Sequence, residues 1–244
     1  MLAARFVARP NRFVVVARRH GRLLRVASRD PGRLRELLRP GAPLRLVPAP
    51  PGAVRRTRYT LALVRHRGLW VSLVPALAND VLAAALMRGG VPGLRGWRVA
   101  AREPRHGRGR FDLLLRGRGL TLLVEVKSAT LVEGRLALFP DAPTSRGTRH
   151  LRALGAHLRR GGRAALVFVV QRADALALAP NADTDPAFAV ALREAHRAGV
   201  RVLAFTCRVS PRGVRLLRRV PVCTTLEAAR EYRGLAAPGN PARR

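Results

Sequence analysis

Lysine is almost missing from this chain. Lysine and arginine together number 47 in 244 residues, but Lys127 is the only lysine, which leaves 46 arginines. Cysteine is scarce as well. Cys207 and Cys223 are too few for a disulfide framework and lack the partners of a structural zinc site. No stretch of 18 apolar residues occurs, which argues against a transmembrane helix, and Met1–Arg5 leads into alternating sequence without the long apolar segment of a signal peptide. These absences lead us to expect a cytoplasmic protein with reduced thiols and no membrane partner. Aromatic residues make up only 5% of the chain, so base stacking is limited. Acidic residues number 14, and the net charge is therefore +33.

Such a charge on a chain that is 48% hydrophobic does not imply disorder; it implies a folded protein that attracts polyanions, with a nucleic acid the expected partner. Residues 1–100 carry 20 arginines against Asp30, Glu36 and Asp80, which makes them the denser half in charge. No helix-turn-helix or zinc-finger spacing is present, so binding is expected to be salt-sensitive and largely non-specific. Arg18, Arg19 and Arg22 straddle a turn, Arg55 and Arg56 precede a strand, and Arg33 follows a sharp Asp30-Pro31-Gly32 turn. All six are candidate phosphate contacts. Tyr59 and Trp70 are candidate stacking residues, with core packing the competing reading.

The first 75 residues read as short strands broken by glycine turns: 12–17, 22–27, 44–47, 59–64 and 69–74, with one helical turn at 33–38. That pattern suggests a small barrel with basic turns at its rim. A helix is expected over 79–89, capped by Asn79. Beyond it come strands at 97–101, 111–115, 120–127, 164–170 and 200–205 and helices at 146–160 and 185–198, an α/β pattern. The expected division is 1–80, 81–234 and a flexible basic tail, 235–244. An exposed apolar helix or sheet edge could support a homodimer.

Three ionisable residues interrupt the apolar strands. Asp112 follows Phe111 and precedes three leucines, while Glu125 and Lys127 share one face of the next strand because side chains repeat every two residues. A short turn at 116–119 would bring the two carboxylates together, and carboxylates among apolar residues repel unless a cation separates them. Mg²⁺ or Mn²⁺ would suit such oxygen ligands, with the carbonyl of Val126 as a third. Lys127, unlike arginine, can lose its proton and so orient or deprotonate a water. The competing reading is a structural Glu125–Lys127 ion pair.

The segments Arg102–Asp112, Glu125–Leu131 and above all Phe139–Leu151 resemble the sugar fermentation stimulation protein A family, and Asn11-Arg12-Phe13 and Pro31-Gly32-Arg33-Leu34 extend the likeness towards the N-terminus. The resemblance implies an α/β protein: an N-terminal OB-like five-stranded β-barrel followed by a PD-(D/E)xK restriction-endonuclease-like domain with a mixed central sheet. It also implies DNA binding and a link to the control of maltose metabolism. Asp112, Glu125 and Lys127 stand at the nuclease positions. Glu103 stands where an accessory acid is often found; we expect it to be held extended by Pro104. Arg110, Arg146 and His150 are expected to face phosphate. The implied activity is metal-dependent hydrolysis of DNA phosphodiesters; the alternative is a non-catalytic DNA-binding or regulatory protein. Asp30 replaces the family's usual asparagine, so the barrel departs further from the pattern than the nuclease half.

Overall fold

The computed structural model describes residues 1–236 except Ala53 and Arg108, and of Leu226 only the backbone; the expected tail therefore lies mostly outside the described residues. Alternating apolar residues in the N-terminal part form strands β1 (Leu2–Asn11), β2 (Val14–Arg19), β3 (Arg22–Ala27), β4 (Pro43–Pro48), β5 (Tyr59–His66) and β6 (Leu69–Ser72). They pair in the order β3-β2-β1-β4-β5-β6, and an additional β3–β5 pairing closes the first five into a barrel. Inward residues such as Phe6, Val15, Val26, Leu44 and Leu61 fill it. The helical turn expected at 33–38 is the tight turn Leu34–Leu38, whose Leu34, Leu37 and Leu38 plug the same core. Two of the strand reversals, His20-Gly21 and Arg67-Gly68, have positive φ at both residues, the primed turns whose twist matches the flanking strands.

Helix α1 (Leu77–Met87) opens the second part. The expected division at residues 80 and 81 falls inside it, and its buried face, Val81, Leu82, Ala85 and Leu86, packs on the following sheet. Then come β7 (Arg98–Arg102), the short hairpin β8 (Arg105–His106) and β9 (Gly109–Arg110), β10 (Leu113–Gly117), β11 (Leu120–Ala129), β12 (Val132–Glu133), β13 (Leu136–Phe139) and α2 (Ser145–Arg159). After them come β14 (Ala164–Val170), β15 (Ala177–Pro180), α3 (Pro186–Arg197), β16 (Arg201–Ser210), β17 (Gly213–Val220) and α4 (Leu226–Gly234).

The main sheet runs β17-β16-β14-β11-β10-β7, parallel at β11–β14–β16 and antiparallel elsewhere, so it is mixed as expected. All seven residues of β14 are buried, because helices cover both faces. Leu166 and Phe168 join the core under α2 and α3, while Val167 and Val169 join the core under α1. The same alternation turns Glu125 and Lys127 of β11 towards α2. Asp185 ties the two helices on that side together: it accepts the N–H of Phe188 at 2.9 Å as the cap of α3 and the N–H of Thr144, the cap of α2, at 2.7 Å.

The barrel docks on the α/β domain through backbone groups that would otherwise be orphaned. Asp141 Oδ2 accepts the N–H of Leu34 at 2.8 Å, and Ser72 N–H donates to the Gln171 carbonyl at 3.1 Å. Arg9 staples the loop beneath, donating to the carbonyls of Gly32 and Arg33 at 2.7 Å and of Asp30 at 3.0 Å. Asp30 forms its expected turn by accepting Gly32 N–H at 2.9 Å, but it faces inward and is 7% exposed.

Glu36 sits near this junction, with Asp141, Asp30 and Arg172 within electrostatic reach, and its buried Oε1 has no hydrogen-bond partner. Burial, helped by the Asp141 charge, pushes its carboxyl up to about 7 from an ordinary 4.5. Between these values the unfolded chain has released the proton while the folded chain keeps it, so stability falls as pH rises through that window. At 1.36 kcal/mol per unit, reduced for partial exposure, the loss is about 2–3 kcal/mol. Glu36→Gln is therefore expected to be more stable than the parent at pH 8 by about that amount, and nearly equal at pH 4.5; urea unfolding at both pH values checks this.

Candidate active site

Of the three ionisable residues singled out in the sequence, Asp112 and Lys127 line the cleft between the two domains. Barrel residues Arg12, Pro31 and Gly32 form one wall, while Asn79, Asp112, Val126, Lys127 and Thr144 form the other, around a cavity of about 430 Å³. The N-terminal ends of α1 and α2 both border it. Asp112 lies in a bend just before β10, where its N–H reaches the Val124 carbonyl at 3.2 Å. Its carboxylate accepts the N–H of Val126 at 2.7 Å and the side-chain amide of Asn79 at 2.8 Å. Burial, then the neighbouring Glu125 carboxylate, raises the Asp112 carboxyl above its ordinary range; the bonds from Val126 and Asn79 oppose this.

Glu125 is 3% exposed. Its Oε1 accepts Lys127 Nζ at 2.6 Å and also meets Nδ1 of His150, which must carry the proton to face a carboxylate. Burial alone would push this carboxyl up; the His150 hydrogen bond and the Lys127 ammonium outweigh it and hold it below the ordinary range. The other oxygen, Oε2, is buried and has no hydrogen-bond partner. Asp112, Glu125, Val126 and Lys127 are thus brought together as the sequence predicts. Among the described residues there is no group of three or more acidic, histidine or cysteine side chains placed to hold a metal.

Other predicted residues lie elsewhere. Glu103 has an exposed side chain that meets Arg110 at 3.5 Å, so the structure does not bring it to the acidic pair. Its backbone is not extended, as Pro104 led us to expect, but left-handed, with φ 49°. Two backbone bonds impose this: Glu103 N–H to the Asp112 carbonyl at 2.9 Å and Phe111 N–H to the Pro104 carbonyl at 3.2 Å, which fold the chain sharply after β7. The basic loop expected at 102–110 accordingly contains the β8–β9 hairpin. Asn79 does not cap α1: the helix starts at Leu77, its cap is Ala76 without a side-chain bond, and the Asn79 amide is committed to Asp112 instead.

His150 turns one ring nitrogen to Glu125, and the other accepts Arg146 Nε–H at 3.5 Å, so neither nitrogen is free for phosphate. Arg18, Arg22, Arg33 and Arg56 are exposed; Arg19 is half-buried, and Arg55, also half-buried, donates to Thr60 at 2.8 Å. Trp70 lies against the Arg45 guanidinium at 5.1 Å, a cation–π contact. Three neighbours escaped the residue-level reading: Asn79 as a partner of Asp112, Arg12 in the cleft wall, and Phe13, 63% exposed beside Arg12. The Asn11-Arg12-Phe13 run was the available signal.

Comparison with known proteins agrees with the two-domain architecture. Residues 7–73 match the SfsA N-terminal OB domain, and residues 76–213 match the sugar fermentation stimulation protein RE domain. A sugar fermentation stimulation protein homolog of Moorella thermoacetica is 50% identical over 223 residues, 91% of this chain and 96% of that protein. One of Chloroflexus aurantiacus is 42% identical over 229 residues, 93% of this chain and 88% of that protein. The solved structure of Pyrococcus furiosus SfsA in complex with Ca²⁺ superposes with TM-score 0.82 at 32% identity, covering 91% of this chain and 95% of that one. With both domains matched in order along the chain, and the barrel and mixed sheet in place, this protein belongs to the sugar fermentation stimulation protein A family.

Proposed function

We propose that this protein binds DNA in the interdomain cleft and hydrolyses its phosphodiester bonds with the help of Mg²⁺ or Mn²⁺. The observation that carries the reading is the pairing of Asp112 with Glu125, next to the chain's only lysine, with a buried Glu125 oxygen left unpartnered. That orphaned oxygen, and an Asp112 carboxyl raised by burial and by the Glu125 charge, fit a divalent cation. Asp112, Glu125 and the Val126 carbonyl would hold it; the Ca²⁺ in the Pyrococcus relative supports a metal-binding capacity. Few side-chain ligands suit Mg²⁺, which keeps several waters and shares phosphate oxygens. When bound, such an ion supplies Lewis-acid polarisation of a phosphoryl oxygen and acidifies a bound water.

The remaining work falls to the chain itself. His150 and Lys127 fix the Glu125 carboxylate from two sides, and Asn79 and Val126 N–H fix Asp112. Lys127 would stabilise charge developing on phosphate as an ammonium or, once it has lost its own proton, take one from water. The N-terminal ends of α1 and α2 favour a phosphate in the cleft, and Arg12 adds a fixed charge. Arg18, Arg22, Arg33 and Arg56 on the barrel, Arg110 on β9 and Arg146 on α2 would hold the backbone without reading sequence. The edge strand β17 presents exposed Arg215 and Arg219, so a homodimer formed edge to edge would have to bring like charges together.

A second reading, DNA binding without cleavage, is favoured by one observation: Lys127 is already engaged by Glu125 at 2.6 Å, and no three-ligand cluster surrounds them among the described residues. Incubating the protein with single-stranded, duplex and branched DNA separates the two. The nuclease reading expects nicking with Mg²⁺ or Mn²⁺ that chelator abolishes; binding without cutting on all substrates would support the second.

A further inference from the structure

A second cavity lies at the opposite end of the main sheet. The parallel strands β11, β14 and β16 start there and run towards the carboxylates. From Leu120 at its rim to Lys127 is seven residues of strand, so the two sites are on the order of 20 Å apart. The cavity has a volume of about 400 Å³ and is lined by Arg95, Arg118, Arg163 and Arg201 around Trp97.

Four arginines come together here from separate segments: the loop after α1, the β10–β11 turn, and the starts of β14 and β16. None of the lining residues is acidic, and none of the four arginines takes part in an ion pair among the described residues. The cleft differs in this respect, since Asp30, Asp112 and Asp141 line it.

The hollow is built by backbone, not left by chance gaps between side chains. Gly93 and Gly96 take φ of 83° and 80°, a left-handed conformation that bends the loop back over the β10–β11 turn. Gly117 permits the approach, because a side chain there would run into the carbonyl of Gly96. Arg201 is held in place by donating to the Gly93 carbonyl at 2.9 Å. Four like charges held around one cavity repel unless an anion neutralises them, and guanidinium forks match phosphate oxygens two at a time.

We propose that this arginine cavity is an oligophosphate-binding site, separate from the cleft. Its occupant is a run of closely spaced phosphates: consecutive backbone phosphates of a nucleic acid, or a free chain of linked phosphates. A single carboxylate would neutralise one guanidinium of four, whereas linked phosphates carry several charges within the same cavity.

Calorimetric titration of inorganic tripolyphosphate into the full-length protein, without divalent metal, tests the proposal. Three proteins are compared: the parent, Arg118→Ala with Arg163→Ala, and Arg208→Ala with Arg215→Ala. The last pair faces each other across β16 and β17 and removes the same charge elsewhere. One site per chain is expected in the parent, at least tenfold weaker in the cavity pair and within twofold of the parent in the control pair, with unchanged unfolding midpoints. The absence of a site in the parent, equal weakening in both pairs, or equally good displacement by triglutamate would each overturn it.

A duplex of about 20 base pairs then identifies the source. If backbone phosphates occupy the cavity, the cavity pair lowers the slope of log affinity against log salt by about 2 relative to the control pair, near 0.9 per contact. If only tripolyphosphate binding changes, the occupant is a free phosphate chain. The tripolyphosphate result does not depend on whether the cleft cuts or binds DNA, so failure of one reading is not failure of the other.

Discussion

Lys127→Arg is expected to cleave DNA at least about 100-fold more slowly than the parent while its DNA affinity changes less than about twofold, the loss being of the size that removing a positioned acid–base group causes. The substitution keeps the positive charge, so every contact that needs only charge survives. What it removes is a compact ammonium able to give up a proton. The Lys127 side chain is 14% exposed and contacts Glu125 at 2.6 Å, and a planar guanidinium in that place would still pair with the carboxylate. If Lys127 is merely the partner of Glu125 in a structural ion pair, arginine should serve nearly as well. Single-turnover cleavage and fluorescence anisotropy on the same duplex separate the two, and normal cleavage by the variant would end the special role given to this lysine.

Asp174→Ala is expected to cost about 3–5 kcal/mol of unfolding free energy, the largest stability effect of any single replacement considered, because it leaves a buried charge without its partner. Arg172 is 2% exposed. It donates to both carboxylate oxygens of Asp174 at 2.7 Å and to the Thr130 carbonyl at 3.0 Å. Burial would raise the Asp174 carboxyl, but the hydrogen bonds and charge of Arg172 hold it below its ordinary range. The penalty belongs to breaking the pair, not to lacking it: Arg172→Met together with Asp174→Leu should lose far less. Urea unfolding of the three proteins checks both statements, and a loss under about 1 kcal/mol in Asp174→Ala would show that water reaches Arg172.

Much of this architecture was legible because hydrophobic alternation carries it. β3 and β14 fall on their expected spans, and α2 and α3 differ by a residue at each end. Asp112, Glu125 and Lys127 stood out because ionisable groups among Leu, Val and Phe need a partner, and the structure supplies partners for each. What stayed hidden was set by contacts from distant segments. Asn79 reads as a helix cap from local pattern alone; its true partner is Asp112, 33 residues away. Glu103 reads as extended before proline, but cross-strand bonds to the Phe111-Asp112 segment override that preference. β17 was missed because arginines crowd its sequence, as suits an exposed sheet edge. β12, β13, β15 and α4 were missed because they are short and bury a small core of their own, Leu136, Leu138, Ala177 and Ala179 among it.

If Asp112, Glu125 and Lys127 form a metal-dependent hydrolytic site, cleavage depends on both the acids and the metal. The most direct test compares the parent and Asp112→Ala, purified side by side, for cleavage of duplex and branched DNA with Mn²⁺ and with chelator. The parent is expected to cut in a way that chelator abolishes, and Asp112→Ala not to cut although it still binds DNA. Equal cutting by both proteins, or none by the parent under any condition, would contradict it.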